Sequence, residues 1–303
     1  MQLVRNVQAL KCLVYRSNLF RKQSLTRFCL ALVYTPKASL QRCNDLSINK
    51  QYLETALKAA DAADNVSLAG FTNREFTVSR KTDNSEVTEI DRNTETAISS
   101  VLRGAFSDFG IYGEEHGISG PTNAEYLWVI DPIDGTTNFV RGVPVWGSLI
   151  ALVHNETPIL GVVSAPALGM RWWATVGEGA YFNGTRIYVS AVNELSQAHV
   201  STTPNKGWEH VGGLPALQQL QVDALRSRGF GDFWQHMLVA QGAIDVAIDA
   251  IGLAPYDNAA IYPIVQEAGG TITDRHGNHD WRAHSMVSSN RLLHSLVIDR
   301  LPS

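Results

Sequence analysis

After residue 43 this sequence contains no cysteine. Its three cysteines, Cys12, Cys29 and Cys43, all lie in the first 44 of 303 residues. A disulfide framework and a thiol nucleophile are thereby excluded from the rest of the chain. Long apolar runs are scarce too: the longest near the N-terminus, Phe28 to Tyr34, is seven residues, against the roughly 20 a membrane helix needs. Charged residues make up 18% against 45% hydrophobic, the balance of a folded protein and not of a disordered one. There is no P-loop, no dinucleotide fingerprint, no internal repeat and no low-complexity segment. A chain of this length holds one large or two moderate cores.

Acids are missing from residues 1–44, which carry eight Lys/Arg. That leaves 17 of the 25 basic residues for the remainder, against all 29 acids, a net charge of −12. An acidic body suits cation binding and argues against nucleic acid as a partner. The basic, acid-free, Ser-containing segment reads as a leader outside the fold. It is either the product of a start placed too far upstream or an organelle transit peptide; a basic arm for nucleic acid is a third reading. The expected location is cytoplasmic, or an organelle if the leader is a true transit peptide. A folded body is expected over 45–303, with sub-lobes at about 45–190 and 191–303.

What is present centres on residues 127–139, Leu127-Trp-Val-Ile-Asp-Pro-Ile-Asp-Gly-Thr-Thr-Asn-Phe139. Four apolar residues bounded by Pro132 and Gly135 read as a buried strand. It delivers Asp131 and Asp134 to its carboxyl end. Gly135 permits close backbone approach, and the amides of Gly135, Thr136 and Thr137 can open a helix whose N-terminus accepts an anion. Hard cations on two carboxylates, beside a phosphate on backbone N–H groups, form a phosphoryl-transfer arrangement. The alternative is a capped strand–turn whose Asp side chains satisfy loop amides.

Two further blocks accompany it: Glu114-Glu115 after Ile111-Tyr112-Gly113, and Tyr256-Asp-Asn-Ala-Ala260 before Glu267-Ala-Gly-Gly270. Together the three blocks resemble the inositol monophosphatase family of magnesium-dependent, lithium-sensitive phosphatases, over roughly residues 50–290. Within it the chain is most similar to the histidinol-phosphate phosphatase branch. That similarity rests on Arg141-Gly-Val-Pro-Val-Trp146, Ser164-Ala-Pro-Ala-Leu168, Arg171-Trp-Trp173 and Gly231-Asp-Phe-Trp234.

The resemblance implies a layered α-β-α-β-α sandwich, where periodicity alone gives only mixed α and β in two lobes. It implies two to three Mg²⁺ ions per site. Glu114, Asp131 and the Ile133 carbonyl match the ligands of the first metal, and Asp131, Asp134 and Asp257 those of the second. Thr136, held by Asp91, matches the group that activates the attacking water together with Glu114. Gly135 and Thr136 match the phosphate-cradling amides. Asp91 also reads as an N-terminal helix cap, and the two roles are compatible. Asp134, Asp232, Trp234 and Asp257 are the expected substrate contacts. Asp232 and Trp234 suit the ammonium and imidazole of histidinol phosphate, although Asp232 also reads as a cap of the helix beginning at Phe233. Inositol-selective members carry an acid seven residues before the last metal aspartate; that position is Ala250, with Asp249 one residue off. Inositol 1-phosphate is the alternative substrate, and an inactive metabolite- or partner-binding relative is the non-enzyme alternative. A homodimer is expected.

Periodicity adds the surrounding elements. Leu53, Ala56, Leu57, Ala60 and Ala63 form one helical stripe, and Ile98, Val101, Leu102, Ala105, Phe106 and Phe109 a second. Short strands are expected through 147–189, with a hairpin turn at Asn183-Gly184. Helices are expected over 211–220, 233–241 and from a cap at Asp257 to Ala268, with Pro263 an awkward interior residue. Asn290 is expected to cap a final helix. Lys81 to Ser85 reads as a mobile polar loop. His276, His279 and His284 read as solvated turn residues and not as a zinc site, and Trp172-Trp173 as core.

Overall fold

The computed structural model describes residues 36–81, 86–121 and 123–302, with side chains from Lys50 onward. Residues 1–35 of the leader and 82–85 of the polar loop lie outside the described residues. Cys43–Ser303 forms one compact unit.

Helix α1 (Pro36–Asn73) precedes a two-stranded ribbon, β1 (Val78–Arg80) and β2 (Glu86–Thr88), and helix α2 (Glu89–Ala105). The large sheet follows: β3 (Gly110–Gly113), β4 (Gly117–Ser119), β5 (Tyr126–Asp134), β6 (Gly147–His154), β7 (Thr157–Ala165), β8 (Met170–Thr175), β9 (Gly179–Phe182) and β10 (Thr185–Arg186). Its spatial order is β10-β9-β8-β7-β6-β5-β3-β4. Only β3 and β5 run parallel; the rest is antiparallel. Short helix α3 (Thr136–Arg141) leaves β5. The second half supplies α4 (Lys206–His210), α5 (Leu214–Asp223), α6 (Asp232–Ala240), α7 (Pro255–Asn258), α8 (Ile261–Glu267) and α9 (His294–Ile298). Its sheet is β11 (His199–Thr202), β12 (Arg226–Arg228), β13 (Val246–Ile248), β14 (Thr271–Thr273) and β15 (Val287–Ser289), ordered β12-β11-β13-β15-β14.

Strand alternation sorts the core into layers. Trp128, Ile130, Ile150 and Leu152 point to one face of the large sheet and meet Ala56, Ala60 and Ala63 of α1 and Ile98 and Leu102 of α2. Val129, Leu149 and Ala151 point to the other and meet Phe233 and Met237 of α6 and Ile261 and Ile264 of α8. Ala247 of β13 faces Val239 of α6, while Val246 and Ile248 face Trp208, Leu217 and Val297 of α4, α5 and α9. The layers therefore run α1/α2, large sheet, α6/α8, second sheet, α4/α5/α9, the α-β-α-β-α order. Each buried Leu, Ile or Val of these layers stabilises the fold by about 1.5–3 kcal/mol.

Several elements differ from their sequence reading. The helix expected over 211–220 begins only at Leu214, as α5; Gly212, with φ 68°, and Gly213 separate it from α4, which ends at His210. Asp257 caps its helix from the third position and not from the start: α7 begins at Pro255, and the Asp257 carboxylate reaches back to accept the Ala254 N–H at 2.6 Å. The helix to Ala268 is interrupted at Ala259-Ala260, since Pro263 has no N–H to give the Ala259 carbonyl. Its end is as read: Gly269 has φ 89°, and the Gly270 N–H reaches the Val265 carbonyl at 2.9 Å. Asn290 accepts the Leu293 N–H, but α9 begins only at His294. Beyond Arg186 the expected strand stops; Val189 instead donates to the Ala268 carbonyl.

Candidate active site

The parallel pairing of β3 and β5 builds half the site. In this register Gly113 lies opposite Ile130, and the β3–β5 ladder ends there. Glu114 follows β3, its N–H donating to the Ile130 carbonyl at 3.1 Å. Asp131 is the next residue of β5 and is 2% exposed. The β5–β6 pairing shifts between Asp131 and Asp134, and buried Ser148 holds the irregular backbone by donating to the Pro132 carbonyl at 2.6 Å. Gly135 then has φ 84°, and an added Cβ would sit 3.1 Å from the Val145 carbonyl oxygen. Only glycine suits this turn, after which the first amides of α3 have no carbonyl partner within the helix.

Thr136 Oγ1 lies 3.0 Å from Asp91 Oδ1 and 3.0 Å from the Ile133 carbonyl. One hydroxyl carries one proton. When it goes to Asp91, the Ile133 carbonyl is left with both lone pairs for a cation. Asp91 Oδ2 accepts the Thr88 N–H at 2.9 Å and the Thr88 hydroxyl at 2.6 Å, completing a capping box on α2. Asp91 is thus a cap through one oxygen and a partner of Thr136 through the other.

The opposite side comes from α6, the segment after β13, and α7. Asp134, Asp232, Asp249, Ala250 and Asp257 line a cavity of about 120 Å³. Asp134 Oδ2 accepts the Phe233 N–H at 2.7 Å, so Asp134, and not Asp232, caps α6. Asp232 has φ 48°, and its Oδ2 accepts the Asn138 side-chain amide at 3.0 Å. Trp234 is half-buried and packs edge-on against Phe230, with centroids 5.4 Å apart; it is not among the residues lining the cavity.

Asp131, Asp134 and Asp257 offer oxygens within 4.8 Å of one another. Burial pushes the Asp131 carboxyl well up, and the charges of Glu114, Asp134 and Asp257 add to it. Burial and then Asp232 and Asp257 do the same to Asp134. Asp257 is pushed up to about 7, chiefly by burial, against the opposing Ala254 N–H. Asp232 is pushed up to about 6 by burial and by Asp249. Such a cluster holds its charge only with a cation present. Asp131 Oδ1 is buried and has no hydrogen-bond partner among the described residues. An orphaned carboxylate oxygen within a group of three carboxylates fits a hard divalent ion such as Mg²⁺.

Three supporting residues escaped the sequence reading. Lys81, read as the start of a mobile loop, places Nζ 2.7 Å from Glu114 and 2.6 Å from Glu115. Glu95, 1% exposed, accepts the Glu115 and His116 N–H groups at 2.7 and 3.1 Å and so clamps the turn bearing Glu114. A Cβ on Gly113 would meet that carboxylate at 2.0 Å. Its signal was available: Glu95 lies on the buried stripe of α2 with Asp91, Ile98 and Leu102. His236, completely buried, is the third, with Nε2 3.0 Å from Asp249 Oδ2 and Nδ1 2.8 Å from Ser288 Oγ. His276, His279 and His284 are exposed, as expected, and Trp172 is core. Among the described residues no helix is long and apolar enough to cross a membrane.

The chain is 39% identical over 258 residues to the histidinol-phosphatase of Streptomyces coelicolor, covering 82% of this chain and 96% of the other. It is 41% identical over 254 residues to the histidinol-phosphatase of Mycobacterium tuberculosis, covering 82% and 97%. The solved inositol monophosphatase (IMPase) of Thermotoga maritima superposes with a TM-score of 0.75 at 32% identity, covering 82% and 96%. A model of the inositol monophosphatase family matches residues 48–303, and the chain belongs to that family.

Proposed function

We propose that the chain is a magnesium-dependent phosphomonoesterase that hydrolyses histidinol phosphate to histidinol. The observation that carries the chemistry is the buried carboxylate cluster with its orphaned Asp131 oxygen, beside Thr136 and Asp91. Glu114, Asp131, the Ile133 carbonyl, Asp134 and Asp257 are the residues that would hold two to three ions. Bound there, Mg²⁺ supplies positive charge to the phosphoryl oxygens and acidifies water. Asp91 orients the Thr136 hydroxyl, leaving an oxygen lone pair to accept a proton from the attacking water. The Gly135 and Thr136 amides receive the phosphate, and Lys81 balances Glu114 and Glu115 from the other side.

Histidinol phosphate is favoured over inositol 1-phosphate by the cavity wall. Ala250 stands where inositol-selective members carry an acid, and two carboxylates outside the metal set, Asp232 and Asp249, line the space instead. The names of the two bacterial relatives agree. A homodimer, and a catalytic body over 45–303 that acts without the leader, complete the proposal. The test is a substrate panel on the full chain with Mg²⁺, setting histidinol phosphate beside inositol 1-phosphate. Faster turnover of histidinol phosphate is expected; preference for inositol 1-phosphate would refute the substrate assignment.

A further inference from the structure

Helix α2 reaches the site twice, through two acids one turn apart. Asp91 and Glu95 are each 1% exposed, on the buried stripe that continues through Ile98 and Leu102. Asp91 bonds Thr136 at the start of α3. Glu95 bonds the loop after β3. Its Oε2 accepts the Glu115 N–H at 2.7 Å, and its Oε1 accepts the His116 N–H at 3.1 Å and lies 2.9 Å from His116 Nδ1. Facing a carboxylate, that ring nitrogen carries a proton and donates. The Glu114 N–H goes the other way, to the Ile130 carbonyl at 3.1 Å. Three successive backbone N–H groups are thereby fixed, and the first of them belongs to an expected ion ligand.

A hairpin loop does not require a buried carboxylate. Loop N–H groups near the surface ordinarily bond to water, and the His116 side chain is exposed. Burying a carboxylate is costly unless its oxygens are bonded. What this one provides is position. Register carries Glu114 to the side of Asp131, but the β3–β5 ladder ends at Gly113. Gly113 then pairs with Gly117 of β4, so residues 114–116 are the loop of a hairpin. Strand β4 is the edge of the large sheet, and no further strand braces that loop. Glu95 braces it from behind. Gly113 leaves the room, since an added Cβ there would lie 2.0 Å from Glu95 Oε1. Groups that orient a ligand in this way tune ion affinity although they never touch the ion.

We infer that Glu95 is a positioning residue for the ion site: it holds the hairpin loop that presents Glu114 to the ion shared with Asp131 and the Ile133 carbonyl. Helix α2 thereby aligns, from one face, an ion ligand after β3 and the Thr136 hydroxyl after β5. This rests on the ion site proposed above. Glu95 touches neither ion nor substrate.

The test uses the full-length protein and Mg²⁺ alone, with binding measured by titration calorimetry in the absence of substrate. Glu95→Gln keeps the shape but offers one oxygen and one NH₂ group, so one loop N–H faces a donor. Its Mg²⁺ affinity should fall about 10-fold or more, the scale for a group that orients a metal ligand. In a phosphate-release assay its activation constant for Mg²⁺ should rise by a similar factor, while kcat at saturating Mg²⁺ falls less than in Asp134→Asn, because Glu114 itself is intact. Gly113→Ala, which pushes the Glu95 carboxylate aside, should weaken binding comparably, and it keeps the test open if Glu95→Gln does not fold. In a Glu95→Ala background, where that space is cleared, Gly113→Ala should add little further loss. Leu102→Val, on the same helix but facing the core, should lower Tm and leave Mg²⁺ affinity unchanged. Unchanged Mg²⁺ affinity in Glu95→Gln or in Gly113→Ala overturns the inference, as does an equal loss in Leu102→Val or full additivity of the Gly113→Ala and Glu95→Ala losses. A wild type that binds no Mg²⁺ overturns the ion reading itself, before any variant is measured.

Discussion

The wall formed by β3, β5 and α3 differs from the wall formed by α6, β13 and α7 in how its carboxylates are placed. On the first, Glu114 and Asp131 sit just past the last pair of a parallel ladder, and backbone register sets them side by side. On the second, Asp232, Asp249 and Asp257 come from separate elements, and side chains such as Asn138 and His236 hold two of them. Backbone register is rigid and hard to alter without refolding, which suits ligands whose geometry is fixed by an ion. Side-chain bonds can be changed one at a time, which suits a wall that chooses among substrates. Under the proposed function the first wall carries chemistry and the second selection, with Asp257 contributed by the second wall to the ion site.

The strongest way to break this division is to attack the ion site. Chelation should abolish turnover, and Mg²⁺ should restore it, measured in a steady-state phosphate-release assay. Asp134→Asn, which keeps shape but removes charge, should lower kcat by roughly a hundredfold or more on any ester, the scale for losing an electrostatic group used in the transition state. Near-normal kcat at saturating Mg²⁺ would reduce Asp134 to a helix cap for α6.

Asp232→Asn probes the other wall. Its kcat/KM for histidinol phosphate should fall by about 10- to 150-fold relative to glycerol 2-phosphate. Asp91→Asn sits between, because one oxygen serves Thr136 and the other caps α2. Its kcat should drop about tenfold, and its stability by about 1–2 kcal/mol in denaturant unfolding, the cost of a lost cap. Retained kcat with lowered stability would leave Asp91 a cap only.

A smaller effect separates the two roles through pH. The Asp257 carboxyl is raised from 3.8 to about 7 in the metal-free fold. Between those values the folded chain binds more protons than the unfolded one, so metal-free stability should fall as pH rises through this window. Mg²⁺ offsets the repulsion, so its gain in Tm should be larger at pH 8 than at pH 5, by calorimetry. Equal gains would mean that the carboxylates are not the ion's ligands. Least affected should be a variant lacking residues 1–44, with kcat and Tm nearly unchanged.

The first wall was readable from sequence because its signals are local. An apolar run, Asp-x-x-Asp-Gly and a helix start are adjacent in the chain, and the structure keeps them so. The amphipathic stripes of α1 and α2 were readable for the same reason, since period and burial agree. The second wall was not readable from spacing. His236 looks like any interior residue of an apolar helix, and its partner Asp249 is 13 residues away and Ser288 is 52 away. Only the folded contact reveals their relation. Helix ends were misread where proline and glycine compete with periodicity, at Pro255, Pro263 and Gly212-Gly213. Lys81 was hidden because an ion pair spanning 33 residues leaves no local mark.

The division between the two walls is tested most directly by one matched pair of kinetic measurements. Asp134→Asn and Asp232→Asn are each assayed on histidinol phosphate and on glycerol 2-phosphate at saturating Mg²⁺. Asp134→Asn should lower kcat on both esters by a similar factor and leave their kcat/KM ratio near the wild-type value. Asp232→Asn should shift that ratio by about 10-fold or more against histidinol phosphate. If the two variants instead depress both esters alike, the walls do not divide chemistry from selection, and Asp232 is a structural residue of the site.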